Sequence, residues 1–510
     1  MGLRRSGHLA TAALAACLIG LSLWQILSSM QLIRTEVITV EGTPATIFRP
    51  RTAPHGPVIV IAHGFAGSQQ LMAAFAVTFA RNGYAAVTFD FLGHGRNPRP
   101  LPGDVTREEG ATRALVDETA KLVRHSRGLG DGRIALVGHS MASDVVVRAA
   151  IADPSIEATV AVSMFSRALT RIAPRDLLVL SGEWESGLRR EALRAVGLAS
   201  APDRPVEGVT YGSLRDGTAR RASVAGGVEH IGVLYSRDSL REALDWINGT
   251  FGVVAAGDRV LDGRGPWIIA LFAGMILLAR PLSELLPAVA GQPRGAGLPW
   301  RRLWPVLLVP AVATPVLLRF APTERLAVPI GGYLAAHFAL YGAIGWTMLW
   351  RAGRSGADGR RTNSSTLASA AAVAAVLAYV AVSFGWAIDT FVTSFVPVRM
   401  RWTLVLSMLV GTAAFFTADE WTTRGEGAAR FGYAAAKVAF VASLALAVAL
   451  NFRSLFFLVI IVPVIVPAFV VFGLFSAWIY RRTNHPLVAG VANAAFFAWA
   501  LGVTFPILDT

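Results

Sequence analysis

Ser140 lies in a sequence context that can turn a serine hydroxyl into a nucleophile. The stretch Gly-His-Ser-Met-Ala at 138–142 follows the apolar run 134–137 and precedes a helical pattern over 143–152. A buried strand that turns sharply into a helix lifts the hydroxyl at the corner clear of the backbone. The usual pattern is G-x-S-x-G, and Ala142 replaces its last glycine, which crowds the turn slightly. The stretch makes Ser140 the candidate nucleophile.

Partners for this serine follow it in the chain order that such a nucleophile requires. A hydroxyl needs a base to take its proton and a third group to orient that base. Glu183 and Glu185 come just after the apolar run 177–180, and His230 ends a glycine-rich loop after a strand pattern at 221–225. His230 is therefore the candidate base, and both glutamates are candidates for the acid.

A strand end upstream of the serine offers donors for a developing negative charge. The apolar run 58–62 is followed by a tight turn over 63–68. Backbone N–H groups exposed in such a turn, together with the N–H of Met141, can stabilise an oxyanion. His63 and His94 also lie in turns, but no further ligand stands at the spacing of a metal motif, so we expect no metal site.

Short β runs alternate with helical segments between 36 and 250, which is typical of a mostly parallel sheet with helices on both faces. In such sheets the ligand lies at the carboxyl ends of the strands. The strands are predicted at 37–40 with 46–48, 58–62, 85–89, 134–137, 159–163, 177–180 and 221–225, and the helices near 69–81, 108–127, 143–152, 188–198 and 239–247.

From 37 to 250 the chain resembles the α/β-hydrolase family, in particular its branch of monoacylglycerol lipases and serine aminopeptidases. The matching motifs are His63-Gly64, Asp90-Phe91-Leu92-Gly93-His94-Gly95, Gly138-His139-Ser140-Met141 and the late His230.

The resemblance implies a role for each matching residue. Ser140 corresponds to the nucleophile, His230 to the base, and the backbone N–H groups of Phe65 and Met141 to the oxyanion donors. The acid of this family usually lies three residues after the glycine that ends its strand, which here is Glu185, with Glu183 as the competing acid. Chemistry of this kind requires neither a metal nor an organic cofactor.

The composition indicates a membrane protein. The chain is 54% hydrophobic and has a formal charge of +14, yet residues 31–250 hold 25 basic and 23 acidic side chains. The basic excess therefore lies mostly between the apolar runs, where it indicates membrane topology, and we expect no nucleic-acid partner. The single cysteine, Cys17, excludes an intrachain disulfide.

Nine apolar runs are long enough to be membrane spans. The first covers about 9–33, and eight more lie near 266–288, 303–319, 327–350, 366–388, 402–418, 431–450, 455–480 and 485–507. With a cytoplasmic N-terminus, the short inside segments carry 14 arginines and the outside segments carry 7. This asymmetry predicts a multi-pass protein of the bacterial plasma (cytoplasmic) membrane with its hydrolase domain on the extracytoplasmic side.

The predicted domains are an N-terminal transmembrane anchor (1–35), an α/β-hydrolase domain (36–250), a linker (251–265) and a polytopic transmembrane domain (266–510). Ionisable residues in or near the later spans, His337, Asp389 and Lys437, are candidates for a second site there.

The catalytic face of the predicted domain lacks a covering insertion. About a dozen residues separate the strands at 159–163 and 177–180, where lipases of the resembled branch insert a lid. We expect the bilayer surface or loops of the membrane domain to cover this face. That arrangement favours a small or lipid-linked acyl substrate.

Three functions fit these patterns. The first is hydrolysis of an acyl bond in an ester, lipid ester or thioester. The second is acyl transfer, in which a lipid or sugar hydroxyl replaces water as the acceptor. The third is a transporter-like membrane protein whose α/β-hydrolase domain only binds its ligand. A serine, an acid and a base in the required order favour an enzyme.

Overall fold

A computed structural model describes residues 2–51, 56–103, 108–201, 203–253, 258–323, 326–355 and 365–509. The chain forms two compact units. The first comprises Met1–Ile19, Phe272–Trp386 and Arg399–Phe505; the second comprises Gly20–Leu271, Ala387–Val398 and Pro506–Thr510. The second unit thus includes three short segments, 266–271, 387–398 and 506–510, that the predicted boundaries assign to the membrane domain.

The second unit is built on a nine-stranded sheet in the order β1-β2-β4-β3-β5-β6-β7-β9-β8. Six neighbouring strands, β4, β3, β5, β6, β7 and β9, are parallel, so their carboxyl ends meet at one edge. The strands are β1 Ile33–Val40, β2 Thr43–Pro50, β3 Val58–Ala62, β4 Ala85–Phe89, β5 Ile134–His139, β6 Ile156–Val162, β7 Leu177–Gly182, β8 Thr210–Tyr211 and β9 Arg220–Ala225.

Helices cover both faces of this sheet. Side chains of α2 and α6 share one buried apolar cluster with the sheet, and those of α3 and α4 share another. The central strands β3 and β5 are buried on both sides, which explains their unbroken apolar sequences. The helices of this unit are α2 Ala73–Arg81, α3 Arg113–Arg127, α4 Met141–Ala152, α5 Ser186–Ser200 and α6 Arg237–Phe251, with shorter helical turns at Gln69–Met72, Glu108–Thr112 and Gly232–Leu234.

This architecture confirms the predicted fold class. Every predicted strand is present, while β8 was not predicted because two residues are too few to show a period. The N-terminal helix α1 covers Gly2–Ser28, and Ile33 begins β1, so the end of the first apolar run belongs to the sheet. Alternation of apolar and polar residues cannot distinguish Ile33 at a strand start from the last apolar residue of a span.

Eight helices among the described residues are long and apolar enough to cross a membrane, which indicates a membrane-embedded protein. One predicted span, 327–350, forms the 21-residue helix α9 but is less apolar than these eight, because it contains His337 and two tyrosines. The α-helices after α6 are α7 Arg264–Ser283, α8 Trp300–Leu318, α9 Gly331–Arg351, α10 Thr366–Val380, α11 Trp386–Phe391, α12 Trp402–Thr423, α13 Gly432–Leu450, α14 Phe452–Leu455, α15 Phe457–Thr483 and α16 Pro486–Thr504.

Two of the ionisable candidates in the spans have protein partners. Lys437 on α13 forms an ion pair with Asp419 on α12, and its ammonium lies 4.0 Å from the centre of the Tyr433 ring. His337 lies between the hydroxyls of Tyr333 and Ser443. Paired charges are the form in which ionisable groups are tolerated between membrane helices.

Asp176 is a buried carboxyl group at the start of β7. Its Oδ1 accepts a hydrogen bond of 3.1 Å from the N–H of Ala219, and its carbonyl oxygen accepts one of 2.9 Å from Trp246 Nε1. Burial raises the pKa of Asp176 to about 6. The charged form of Asp176 therefore lowers the stability of the second unit near neutral pH.

We expect Asp176→Asn to stabilise the second unit at pH 8 and to leave it unchanged at pH 4. An unfolded aspartate titrates near 3.9, so the stability cost of the carboxylate is complete above pH 6 and absent below about pH 4. Asparagine keeps an oxygen for the Ala219 N–H. The expected gain at pH 8 is about 1–2 kcal/mol, seen as a higher thermal midpoint; an equal shift at both pH values would contradict this assignment.

Candidate active site

The turn between β5 and α4 holds Ser140 at a sharp corner. Ser140 has φ 54° and ψ −118°, a conformation that a non-glycine residue adopts only when its surroundings impose it. Its N–H donates to the carbonyl of Val162 at 2.8 Å, and its carbonyl accepts the hydroxyl of Ser143 at 2.5 Å. These bonds hold the corner, so that the hydroxyl of Ser140 projects from the carboxyl edge of the sheet.

Two glycines make room for this corner. A Cβ on Gly138 would lie 2.4 Å from the carbonyl oxygen of Ala142, and one on Gly64 would lie 3.0 Å from the Cβ of Ser140. Ala142 itself is fully buried in the cluster formed with α3 and α4. The alanine in place of the usual last glycine is therefore accommodated, and Gly138 is the position where a side chain is excluded.

Ser140, His230 and Glu185 form one continuous hydrogen-bonded chain. His230 Nε2 lies 2.9 Å from Ser140 Oγ, and His230 Nδ1 lies 2.6 Å from Glu185 Oε1. With the proton of the neutral imidazole on Nδ1, donated to the carboxylate, Nε2 is left to accept the serine proton. This arrangement can activate the hydroxyl as a nucleophile.

The carboxylate of Glu185 is held from both sides. Its Oε2 accepts hydrogen bonds of 2.7 Å from the Ser163 hydroxyl and 2.7 Å from the N–H of Gly182. Burial alone raises the pKa of Glu185, but the bonds from His230, Gly182 and Ser163 outweigh it and leave this pKa below its ordinary value. Glu185 therefore stays ionised and can stabilise a positive charge on His230.

Glu183 occupies a different place from Glu185. Its Oε2 accepts a hydrogen bond of 2.7 Å from the N–H of Gly227, in the loop that precedes His230. Of the two glutamates left open by the sequence, the structure brings Glu185 to the imidazole and places Glu183 on the loop backbone.

His139 supports the position of His230 through the main chain. Its Nε2 donates to the carbonyl oxygen of His230 at 2.9 Å, and the two rings lie 4.8 Å apart. Burial, followed by the proximity of His230, lowers the pKa of His139 to about 3. His139 is thus a neutral donor whose bond fixes the backbone of the candidate base.

The turn after β3 lies beside the nucleophile. The N–H of Gly67 donates to the carbonyl of Gly64 at 3.1 Å, which closes a tight turn around Phe65 and Ala66, and Ala66 has φ 57°. Phe65 comes directly after Gly64, whose missing side chain lets this turn approach Ser140. Met141 begins α4 next to the nucleophile. The two predicted oxyanion donors therefore lie on the two backbone segments that flank Ser140.

His63 begins this turn and forms a hydrogen bond through each of its ring nitrogens. His63 Nδ1 donates to the carbonyl of Gly64 at 2.8 Å, and its Nε2 accepts the N–H of Phe91 at 3.2 Å, so both ring nitrogens are used. Burial lowers the pKa of His63 more than nearby Asp90 raises it. No group of metal-ligating side chains occurs among the residues that the structure describes.

Sequence reasoning missed Ser163 as a partner of the acid and assigned His139 no specific bond. The signal for Ser163 was a polar residue directly after the apolar strand β6, but its contact depends on φ 53°, which no sequence period reveals. The bond of His139 joins residues 91 positions apart, so it depends on the tertiary fold.

The comparison with family models agrees with this fold. Residues 57–210 match a family model described as the alpha/beta hydrolase fold. Similar solved structures include TT1662 from Thermus thermophilus (18% identity, TM-score 0.32, covering 43% of this chain and 98% of that chain) and an esterase from Pyrobaculum calidifontis (17%, 0.32, 48% and 94%). A predicted CIB-like hydrolase from Thermoplasma acidophilum is also similar (16%, 0.32, 42% and 97%). No curated protein matches the chain.

The two glutamates provide a matched test of the hydrogen-bonded chain. We expect Glu185→Gln to slow labelling of Ser140 by a fluorophosphonate about 10³-fold or more, because the amide no longer holds the imidazole in the required tautomer. Glu183→Gln should leave the labelling rate close to that of the unaltered protein. The measurement is the pseudo-first-order labelling rate, and equal slowing by both variants would contradict the geometry.

Proposed function

We propose, from the match of residues 57–210 to the alpha/beta hydrolase fold, that this chain is a membrane-bound serine hydrolase that cleaves an acyl bond in an ester, lipid ester or thioester. The observation that carries the proposal is the unbroken chain of hydrogen bonds from Ser140 Oγ through His230 to Glu185. The match to this fold supports a hydrolase, and the chain of bonds supports serine as its nucleophile.

The reaction uses these groups in two stages. Ser140 Oγ attacks the carbonyl carbon of the substrate while its proton passes to His230 Nε2, and Glu185 stabilises the imidazolium. The N–H groups of Phe65 and Met141 donate to the oxyanion. His230 then gives the proton to the leaving group, and the bond between the carbonyl carbon and that group breaks. In the second stage His230 activates a water that releases the acyl group from Ser140.

Exposed apolar side chains adjoin the catalytic residues in sequence. Trp184, next to Glu185, is 68% exposed; Phe165, two residues after Ser163, is 55% exposed; Ile231, next to His230, is 44% exposed. They follow β7, β6 and β9, whose carboxyl ends meet at the edge that holds the nucleophile. Large apolar groups gathered at one edge are typical of a binding surface. We infer that the substrate is amphiphilic and that these side chains contact its acyl chain.

Activity-based labelling on intact cells tests the nucleophile and its side of the membrane together. We expect a membrane-impermeant fluorophosphonate to label the full-length protein at Ser140 on intact cells, and Ser140→Ala to abolish both the label and hydrolysis of a soluble acetyl ester. Labelling that appears only after lysis would contradict the extracytoplasmic side. Absence of labelling in a folded, lysed sample would contradict the serine mechanism.

Substrate chain length tests the apolar surface. We expect Trp184→Ala to raise KM about 10-fold for esters with long acyl chains, because burial of an aromatic side chain contributes about 1.5–3 kcal/mol to binding. Hydrolysis of an acetyl ester should stay unchanged. Val37→Ala, at an exposed apolar position on the edge strand β1, is the control and should affect neither substrate; equal effects of Trp184→Ala on both esters would contradict the inference.

A further inference from the structure

A segment from the C-terminal half of the chain packs on the turn after β3. This segment, Ala387–Val398, lies in sequence between α10 and α12 but belongs to the same compact unit as the sheet. We call it the clamp segment. It contains Asp389, one of the ionisable candidates that the sequence singled out.

Two residues at the end of the turn after β3, Ser68 and Gln70, carry the contacts. Ser68, which follows Gly67, is fully buried. Its Oγ accepts the N–H of Ser394 at 2.8 Å and lies 3.0 Å from the hydroxyl of Thr393. Gln70 Nε2 donates to the carbonyl of Asp389 at 3.0 Å, and Gln70 Oε1 accepts the hydroxyl of Ser394 at 3.1 Å. The clamp segment thus fixes the chain three residues beyond Phe65.

The side chain of Asp389 orders the clamp segment and joins it to the loop after β4. One oxygen, Oδ1, accepts the N–H groups of Phe395 at 2.7 Å and Val396 at 3.1 Å. The other, Oδ2, lies 2.7 Å from Arg96 Nη2. One carboxylate therefore shapes the clamp segment and pairs it with Arg96.

Arg96 connects back to the turn through Asp90. The N–H of Arg96 donates to Asp90 Oδ2 at 3.0 Å, and Asp90 Oδ1 accepts the N–H of Gln69 at 2.8 Å. Asp90 is fully buried, so these bonds are shielded from water. A second series of polar contacts therefore joins Asp389, through Arg96 and Asp90, to Gln69, which follows Ser68.

Ile507 binds the loop after β4, which carries Arg96, at two other positions of that loop. The N–H of Ile507 donates to the carbonyl of Gly93 at 2.9 Å, and the N–H of Leu101 donates to the carbonyl of Ile507 at 2.8 Å. A Cβ on Gly93 would lie 2.5 Å from that Ile507 oxygen. The loop that carries Arg96 is therefore fixed on a second side by residues far along the chain.

We propose that Asp389, Arg96 and Ser68 are positioning residues for the turn after β3 (64–67), which holds the oxyanion donor Phe65, and that the clamp segment is a required part of the active site. The proposal rests on the proposed function. Oxyanion donors accelerate a reaction only when they are held in place before charge develops. The clamp segment supplies hydrogen bonds directly after the turn over 64–67, at Ser68 and Gln70. Disturbing these residues should lower kcat and leave KM nearly unchanged.

The test uses the full-length protein and a soluble acetyl ester. We expect Arg96→Gln to lower kcat about 3-fold, since an ion pair with a partly exposed partner contributes little in water. Ser68→Ala, which removes a buried hydrogen-bonding group, should lower kcat about 10-fold or more. The double variant Arg96→Gln/Asp389→Asn should lose no more than Asp389→Asn alone, because both changes break the same pair.

Salt and a matched control separate positioning from a general loss of stability. Raising the salt to about 1 M should reduce kcat of the unaltered protein toward that of Arg96→Gln and leave Arg96→Gln itself unchanged. Arg49→Gln removes an arginine of similar exposure, which pairs with the more exposed Glu36 between β1 and β2, and should leave kcat unchanged. If the fluorophosphonate labels Ser140 but Arg96→Gln, Ser68→Ala and Asp389→Asn all keep full kcat, the positioning inference is wrong and the hydrolase proposal stands. If the unaltered protein is not labelled, the hydrolase proposal itself is wrong.

Discussion

The candidate site depends on one imidazole ring held between a hydroxyl and a carboxylate. His230 reaches both because its loop follows β9, Glu185 follows β7 and Ser140 follows β5, and all three strands end at the same edge of a parallel sheet. His230 can take the proton of Ser140 in the right orientation only while both distances stay within hydrogen-bond range. His139 and Ser163 help to keep these distances, since His139 fixes the main chain of His230 and Ser163 fixes the carboxylate of Glu185.

Much of this arrangement could be predicted from the sequence, because its causes are local. An apolar run followed by small residues and a serine specifies a strand, a corner and a helix, and the strand ends position Glu185 and His230 through topology alone. The choice between Glu185 and Glu183 needed coordinates, since both follow β7 within three residues. Which carboxylate faces the imidazole depends on the bonds from Ser163 and Gly182, and Ser163 belongs to a different strand end.

The contribution of the C-terminal half to the second unit could not be predicted for a related reason. Hydropathy identifies helices that can cross a membrane, but it gives no information about which short connection packs against which strand end. Asp389 illustrates this difference: by sequence it is an acid near the end of a span, whereas in the structure its carboxylate pairs with Arg96, some 300 positions earlier. Contacts of such separation arise from the tertiary fold and leave no periodic signal in the sequence.

The absence of a long insertion between β6 and β7 has a consequence for how this site is completed. A catalytic edge needs groups that exclude water and that hold the donors to an oxyanion in place. Here the bonds on Ser68, Gln70 and Arg96 come from the clamp segment instead. The candidate catalytic residues are therefore encoded in one part of the chain and some of the residues that hold the turn after β3 in another. A sheet domain cut from its natural chain would keep Ser140, His230 and Glu185 but lose the hydrogen bonds that the clamp segment makes to Ser68 and Gln70.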